Sequence, residues 1–509
     1  MSSENPAVRY SPPVVASSPL TELVTHPEPE LVLGIVCPVG VNQDAFEKQM
    51  LEGLARFRYQ ANVLRVSRLV EELNTEFLGL KLDLSKPGKR IDSLMTAGNK
   101  LRAAAKRGDI LALYAIAEIN RNRKHTEAEP LGEPYARTVH IIRSLKHQQE
   151  VEALRRIYGP GFFLIAVGAP LEKRMHYLTK IKRIAVREAE ALIKRDESEQ
   201  DDFGQQTRDT FTLADVFLQD GQRDQLERFF DLLFGAPFTT PTPDEHAMFL
   251  AYAASLRSAQ LARQVGAVVV SPRGEVIASG ANEVPKFGGG QYWPGPEDHR
   301  DHVQGFDSND EEILNIAGDV LQKLDGLLPA DRLSEAKQLV ASSRISDLTE
   351  FGRVVHAEME ALSACGRMGS STLGCSMFVT TFPCHNCAKH IVAAGIERVI
   401  FVEPYPKSLA PSLHDDSIAI DDEHARGKVR FLPFVGVAAR RYFDLFSMRL
   451  SSGMPMKRKK DGRPVSWDRR TALPRVRMSP WGYIEREDKA ISEYNSAMDA
   501  IEEAKAEEQ

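Results

Sequence analysis

Two short motifs constrain this 509-residue chain more than anything else in it. They are His356-Ala357-Glu358 and, starting 27 residues after the histidine, Pro383-Cys384-His385-Asn386-Cys387. One imidazole and two thiols in this pattern are the ligand types that hold zinc. Pro383 suits the start of a helix and Gly395 its end. Both thiols then share one face of the opening turn, where the positive helix end favours thiolates. His356 and Glu358 are two apart and would point opposite ways inside a helix. They address one site only from a first turn, which predicts a helix beginning near Val355. Three protein ligands leave a tetrahedral zinc one open position, as in catalytic sites, and such a metal makes water nucleophilic near neutral pH. Glu358, beside the metal without ligating it, can take a proton from that water and pass protons to a ring nitrogen and a departing amine. The predicted chemistry is hydrolytic attack on an amidine-type carbon with loss of ammonia. A structural zinc knuckle would want a fourth ligand. Cys365 and Cys375 fall inside core-like segments and read as small buried hydrophobes instead.

The rest of the chain organises around this centre. Residues 1–27, rich in Ser and Pro, read as a flexible tail. Apolar strands at 31–36, 59–65, 139–145 and 162–167 alternate with helices, including 91–107 and 110–123, which predicts an α/β domain with a parallel sheet over 28–236. Pro237 to Pro243 cannot be helix interior and marks a boundary. A second α/β unit over 237–450 has a helix at 245–260, strands at 265–270 and 275–279, and then helix 356–366, strand 376–381, helix 384–394 and strand 398–402. Residues 286–345 interrupt it as an insertion with two helices, and 451–509 form a C-terminal extension. The net charge of −6 and five unevenly placed cysteines argue against a duplex-DNA binder and a disulfide scaffold. The most apolar run, Phe162 to Pro170, is far short of the ~20 residues of a membrane span, and no signal-peptide pattern opens the chain. A cytoplasmic protein without membrane partners is expected.

Residues 245–405 resemble the cytidine/deoxycytidylate deaminase family. The likeness rests on the zinc motifs, on Ser255 to Val268 (SLRSAQLARQVGAV), on Ser279-Gly280-Ala281-Asn282-Glu283-Val284-Pro285, and on Thr380 to Cys384. It implies a three-layer α/β/α fold, one catalytic zinc per chain held by His356, Cys384 and Cys387, and Glu358 as the proton carrier. It also implies that Asn282 binds a sugar and Tyr405 packs near a base. Arg257, Arg263 and Lys407 flank the inferred pocket as candidates for substrate phosphates, with plain surface charge as the alternative. Glu360 stands where the family usually has Asn.

A second motif is degenerate. Strand 31–36 runs through Cys37-Pro38-Val39-Gly40-Val41-Asn42-Gln43-Asp44 into a helix, the context of a Walker A loop. Gly34, Gly40, Val41, Asn42, Gln43 and Asp44 are the candidate nucleotide contacts. Yet Asn42 falls at the last glycine, Gln43 at the lysine and Asp44 at the hydroxyl residue, and Val139 to Leu145 lacks the acidic residue of a Walker B strand. Two readings stay open: an ordinary strand–turn–helix corner, or a P-loop kinase-like domain that binds a nucleotide without transferring phosphate.

Together with Arg90 to Arg102, Ile142 to His147 and Glu403 to Leu409, this pairing resembles the bacterial antiphage dCTP deaminases over roughly 30–450. That resemblance implies conversion of dCTP, and of dCMP, to deoxyuridine nucleotides, depleting dCTP during infection. It also implies a regulatory nucleotide or inhibitor and a homo-oligomer. One rival is a single-stranded DNA or RNA deaminase, which would want a basic, aromatic-lined groove; the net charge and 7% aromatic content argue against it. Another is a nucleotide sensor with the deaminase fold as scaffold. Glu297 to His302 offers ligand types for a second metal, and Lys457 to Arg463 offers charge for a phosphate channel or nucleic acid; a polar surface loop is the alternative for each.

Overall fold

Leu31–Val36 (β1) is apolar except at Gly34 because it lies buried on both faces in the middle of a sheet. The computed structural model describes residues 28–124, 133–199, 201–324, 332–348, 351–404, 408–451 and 453–508. In the first sheet β1 is flanked by β3 (Thr138–Arg143) and β4 (Phe162–Gly168), with β2 (Gln60–Arg65) beyond β3 and β5 (Val216–Gln219) beyond β4. These five strands are all parallel. Winding goes both ways from β1, so its carboxyl end opens onto the crevice where open α/β sheets receive ligands.

The second sheet runs β7 (Val276–Ala281), β6 (Gly266–Val270), β8 (Ser376–Thr381), β9 (Arg398–Glu403), β11 (Val429–Pro433), β10 (Ile418–Ile420). Only β6 is antiparallel to its neighbours. Successive residues feed two cores. Val268, Phe378, Ile400 and Val402 join the core of the first sheet. Ala267, Val269, Met377, Val379 and Val399 pack with residues of the helices Ala357–Arg367 and His385–Ala393. The helix Pro243–Ser255 covers the first of these faces, which makes the unit three-layered.

β12 (Gly436–Val437) leaves β11 after two residues and pairs antiparallel with β5, so it becomes the sixth strand of the first sheet. Buried acids hold the junction. Glu245 accepts from the Val437 amide at 2.9 Å and pairs with Arg228. Asp215 accepts from the Leu164 amide at 2.7 Å and pairs with Arg441 at 3.3 Å. The two sheets therefore share hydrogen bonds as well as a core. Neither β5 nor β12 is legible from periodicity, because four and two residues are too few to show a repeat. No helix among the described residues is long and apolar enough to cross a membrane.

The terminal helix Pro480–Glu508 returns to the first unit and lies along Ile110–Arg121. Its anchor is ionic. Arg123 sits between Glu30 and Glu487, all three side chains fully buried, with contacts of 2.5 and 2.7 Å. Burial raises the Glu30 carboxyl, but His140, whose Nε2 lies 3.5 Å away, and the charge and hydrogen bonds of Arg123 outweigh it and hold the pKa at about 2. A folded pKa below the unfolded value of 4.5 stabilises the fold above about pH 4.5, and that stabilisation is lost as pH falls towards 2. The contribution is on the order of 3 kcal/mol. Arg123→Ala leaves two carboxylates buried and unpaired and is expected to destabilise by about 3–5 kcal/mol. Urea unfolding at neutral pH and at pH 3 checks both effects, and the deficit of the variant should shrink at the lower pH.

Candidate active site

Two helix N-termini meet here, and backbone contacts fix where each begins. Val355 forms an antiparallel bridge with Glu283, its amide donating at 3.1 Å and its carbonyl accepting at 3.2 Å. It is therefore extended, and the helix starts at Ala357 with His356 as N-cap, two residues later than the motif spacing predicts. Gly280 lets that helix press on β7, since a Cβ there would lie 2.2 Å from the Ala357 carbonyl oxygen and 2.6 Å from the Ala361 nitrogen. Across the sheet, Cys384 caps His385–Ala393, its sulfur accepting from the Cys387 amide at 3.4 Å. The chain leaves that helix through Gly395 at φ +72°.

These starts bring Nδ1 of His356 to 3.4 Å from the Cys384 sulfur and 3.3 Å from the Cys387 sulfur. All three ligand atoms lie within 4.8 Å of one another, and they form the one such group among the described residues. Bond lengths of about 2.0–2.3 Å put tetrahedral zinc ligands roughly 3.5–3.8 Å apart, so donor set and spacing both fit zinc. The polar surroundings suit a thiolate as well. The Cys384 pKa is lowered to about 4, by a hydrogen bond with Cys387 against the effect of burial, and then by His356. Glu358 is 4% exposed. Burial pushes its carboxyl up while the His356 charge opposes that, and it reaches the Cys387 side chain. A buried carboxyl with raised pKa, beside but outside the ligand set, is equipped to accept and return a proton.

The other expected contacts are placed unevenly. Asn282 is buried next to the Glu283–Val355 bridge. Its Oδ1 accepts from the Val265 amide at 2.6 Å and its Nδ2 donates to the Arg263 carbonyl at 2.8 Å, so one lone pair and one N–H are unused among the described residues. Arg257 donates to the Tyr292 carbonyl at 3.2 Å and lies 3.9 Å over the Trp293 ring, with Glu283 and Glu360 as its electrostatic neighbours. The Arg263 side chain is exposed. Tyr405 and Lys407 lie outside the described residues. Glu360, in place of the expected Asn, is ion-paired with Arg367 at 2.5 Å. Glu283 was not singled out from the sequence. Its carboxylate accepts from the Ala259 and Val284 amides and lies 3.5 Å from Arg300, tying the Asn282 loop to the insertion. In the insertion, Asp298 pairs with Arg300 and Asp301 with Arg353.

The N-terminal loop is mostly engaged within the chain. Gly34 is a packing position, where a Cβ would lie 2.7 Å from Leu145 and 2.9 Å from Phe162. Gly40 has φ +98° beneath the backbone of Arg174. The Val41 amide donates to the Pro38 carbonyl at 3.3 Å, and Asn42 caps the helix Gln43–Ala55. Gln43 and Asp44 both bond Arg143, at 2.9 and 2.7 Å. Cys37 is inert, its thiol pushed up to about 11 by burial.

Residues 241–403 match the family described as the cytidine and deoxycytidylate deaminase zinc-binding region. The deoxycytidylate deaminase of Enterobacteria phage T2 is 31% identical over 160 residues, covering 31% of this chain and 79% of the phage protein. The chain belongs to the cytidine and deoxycytidylate deaminase family. The mouse deoxycytidylate deaminase is 28% identical over 158 residues, which cover 31% of this chain and 63% of the mouse protein. A crystal structure of the dCMP deaminase from cyanophage S-TIM5, in complex with dCMP and dUMP, aligns over 38% of this chain and 98% of that one, at 20% identity and a TM-score of 0.23.

For the deaminase, replacing His356, Cys384 or Cys387 by Ala is expected to remove zinc, read by metal analysis of the purified chain against one zinc per chain in the parent. Gly280→Val should shift the start of the Ala357–Arg367 helix. Its expected signature is weaker zinc retention against a chelator together with a lower melting temperature.

Proposed function

We propose that this chain deaminates free deoxycytidine nucleotides, dCMP and dCTP, to the deoxyuridine nucleotides and ammonia. The observation that carries the reading is the His356–Cys384–Cys387 group with buried Glu358 beside it, in a family whose named relatives include deoxycytidylate deaminases. Zinc held by these three residues would supply a Lewis acid that activates water near neutral pH. Glu358 takes the proton of the attacking water, delivers it to the ring nitrogen, and passes a second proton to the amine. C4 gains oxygen and loses nitrogen as ammonia. Phe382, packed edge-on to Phe401 with ring centroids 4.9 Å apart, belongs to the same buried apolar cluster as Cys384 and Cys387. Asn282 would offer its remaining lone pair and N–H to the sugar, and Arg257 is a candidate for a phosphate contact. Tyr405, Arg263 and Lys407 remain candidates for base and phosphate contacts.

Extension of the substrate to dCTP, and a role in starving phage replication of its cytosine precursor, rest on the likeness to antiphage dCTP deaminases. Regulation through a nucleotide in the N-terminal unit and assembly into a homo-oligomer rest on the same likeness. Incubation with dCMP, dCTP, CTP and single-stranded oligonucleotides separates the readings. Equimolar ammonia and deoxyuridine nucleotide are expected from the first two, and turnover of the oligonucleotide alone would refute the proposal. Glu358→Gln should retain zinc and lose about 10²–10⁴-fold in kcat.

A further inference from the structure

The degenerate loop at the carboxyl end of β1 lacks the lysine and hydroxyl of a phosphate loop in sequence, yet both groups are present in space. The Lys146 ammonium reaches the loop from the segment after β3 and donates to the Cys37 carbonyl at 2.7 Å. The Thr207 hydroxyl comes to the same place, at Asp196, from a helix that precedes β5. What they hold is a carboxylate. Asp196, fully buried near the end of the helix Val186–Glu197, accepts from the Val39 amide at 2.8 Å, from Lys146 at 2.7 Å and from Thr207 at 3.1 Å. A loop amide, an ammonium and a hydroxyl are the donors such loops use to hold phosphate oxygens. The seat lies at the switch point of the parallel sheet, where a ligand would enter.

A second observation points to an anion beside the same loop. The root of Arg174 packs on Gly40, 2.6 Å from where a Cβ would be, and its side chain is nine-tenths buried. Nη2 approaches Glu197 at 3.3 Å, while Nε and Nη1 have no hydrogen-bond partner among the described residues. Two buried, unpaired guanidinium donors beside a glycine loop are costly unless an acceptor visits them.

We infer that the loop is a phosphate seat whose resident anion is Asp196, so that a phosphate group, inorganic or at the end of a nucleotide, enters only by displacing that carboxylate. Asp196 and a phosphate need the same donors, and two anions in one buried seat repel. In the wild-type chain the carboxylate holds the seat by being covalently attached. Its departure would free the end of the Val186–Glu197 helix and hand the Val39 amide, Lys146 and Thr207 to the incoming group. This inference does not depend on the chemistry at the zinc motifs.

Asp196→Asn tests it, because the amide keeps the shape and removes the charge. Titration calorimetry with inorganic phosphate and with ATP should show at least about tenfold tighter binding to Asp196→Asn than to the wild-type chain. The gain should vanish in Asp196→Asn combined with Lys146→Met. Equal affinities for wild type and Asp196→Asn, or a gain that survives loss of Lys146, would overturn the inference. Amide exchange on the wild-type chain decides the matter should Asp196→Asn fail to fold. The Val39 amide should exchange slowly without phosphate and faster or differently once saturating phosphate displaces its carboxylate partner. Fast exchange of Val39 in the phosphate-free chain would overturn the inference.

Discussion

The reactive end of this molecule depends on two helices whose N-cap side chains, His356 and Cys384, meet at 3.4 Å. A zinc ligand placed at an N-cap has its direction set by the turn before the helix, because the cap residue is extended while its successors are helical. His356 and Cys384 are both N-caps, and Cys387 comes from the first turn behind Cys384. Moving either helix start by one residue would rotate its ligand by about 100° and dissolve the site. The features that prevent such a slip are modest ones. They are the two-bond bridge between Val355 and Glu283, the absence of a side chain at Gly280, and the return of the chain at Gly395. The buried Glu283 carboxylate ties the same bridge to the loops that carry Asn282 and Arg300.

The deaminase sheet does not stand apart from the N-terminal one. One face of its strands contributes to the core of the first sheet, and β12 supplies that sheet's last strand. Glu245, Asp215 and Arg441 are buried at the seam with their hydrogen-bonding groups engaged. The terminal helix then fastens itself to the first unit through Arg123.

Much of this was legible in advance where the physical cause is local. β1 and β4 announce themselves because strands covered on both faces must be apolar throughout. The zinc residues announce themselves because few other uses require His, Glu, Cys and Cys at those intervals. The degenerate loop was legible as a strand–turn–helix corner, and its missing lysine and hydroxyl were plain. What filled the gap was not, since Lys146, Asp196 and Thr207 come from separate segments with no common pattern. Glu283 was passed over for the same reason. Its importance comes from partners at 259, 300 and 355, which no spacing rule connects.

The sequence by itself marked out His356, Glu358, Cys384 and Cys387 as one group, and it determined the alternation of strands and helices and the family. Those follow from residue type and short-range periodicity, which folding preserves. Only the tertiary structure decided that the helix waits until Ala357, that the two sheets are joined through β12, and that a carboxylate from the chain itself accepts from the loop after β1. Each of these is a contact between residues far apart in the chain, and its energy comes from burial and hydrogen bonding that exist only once the segments have met.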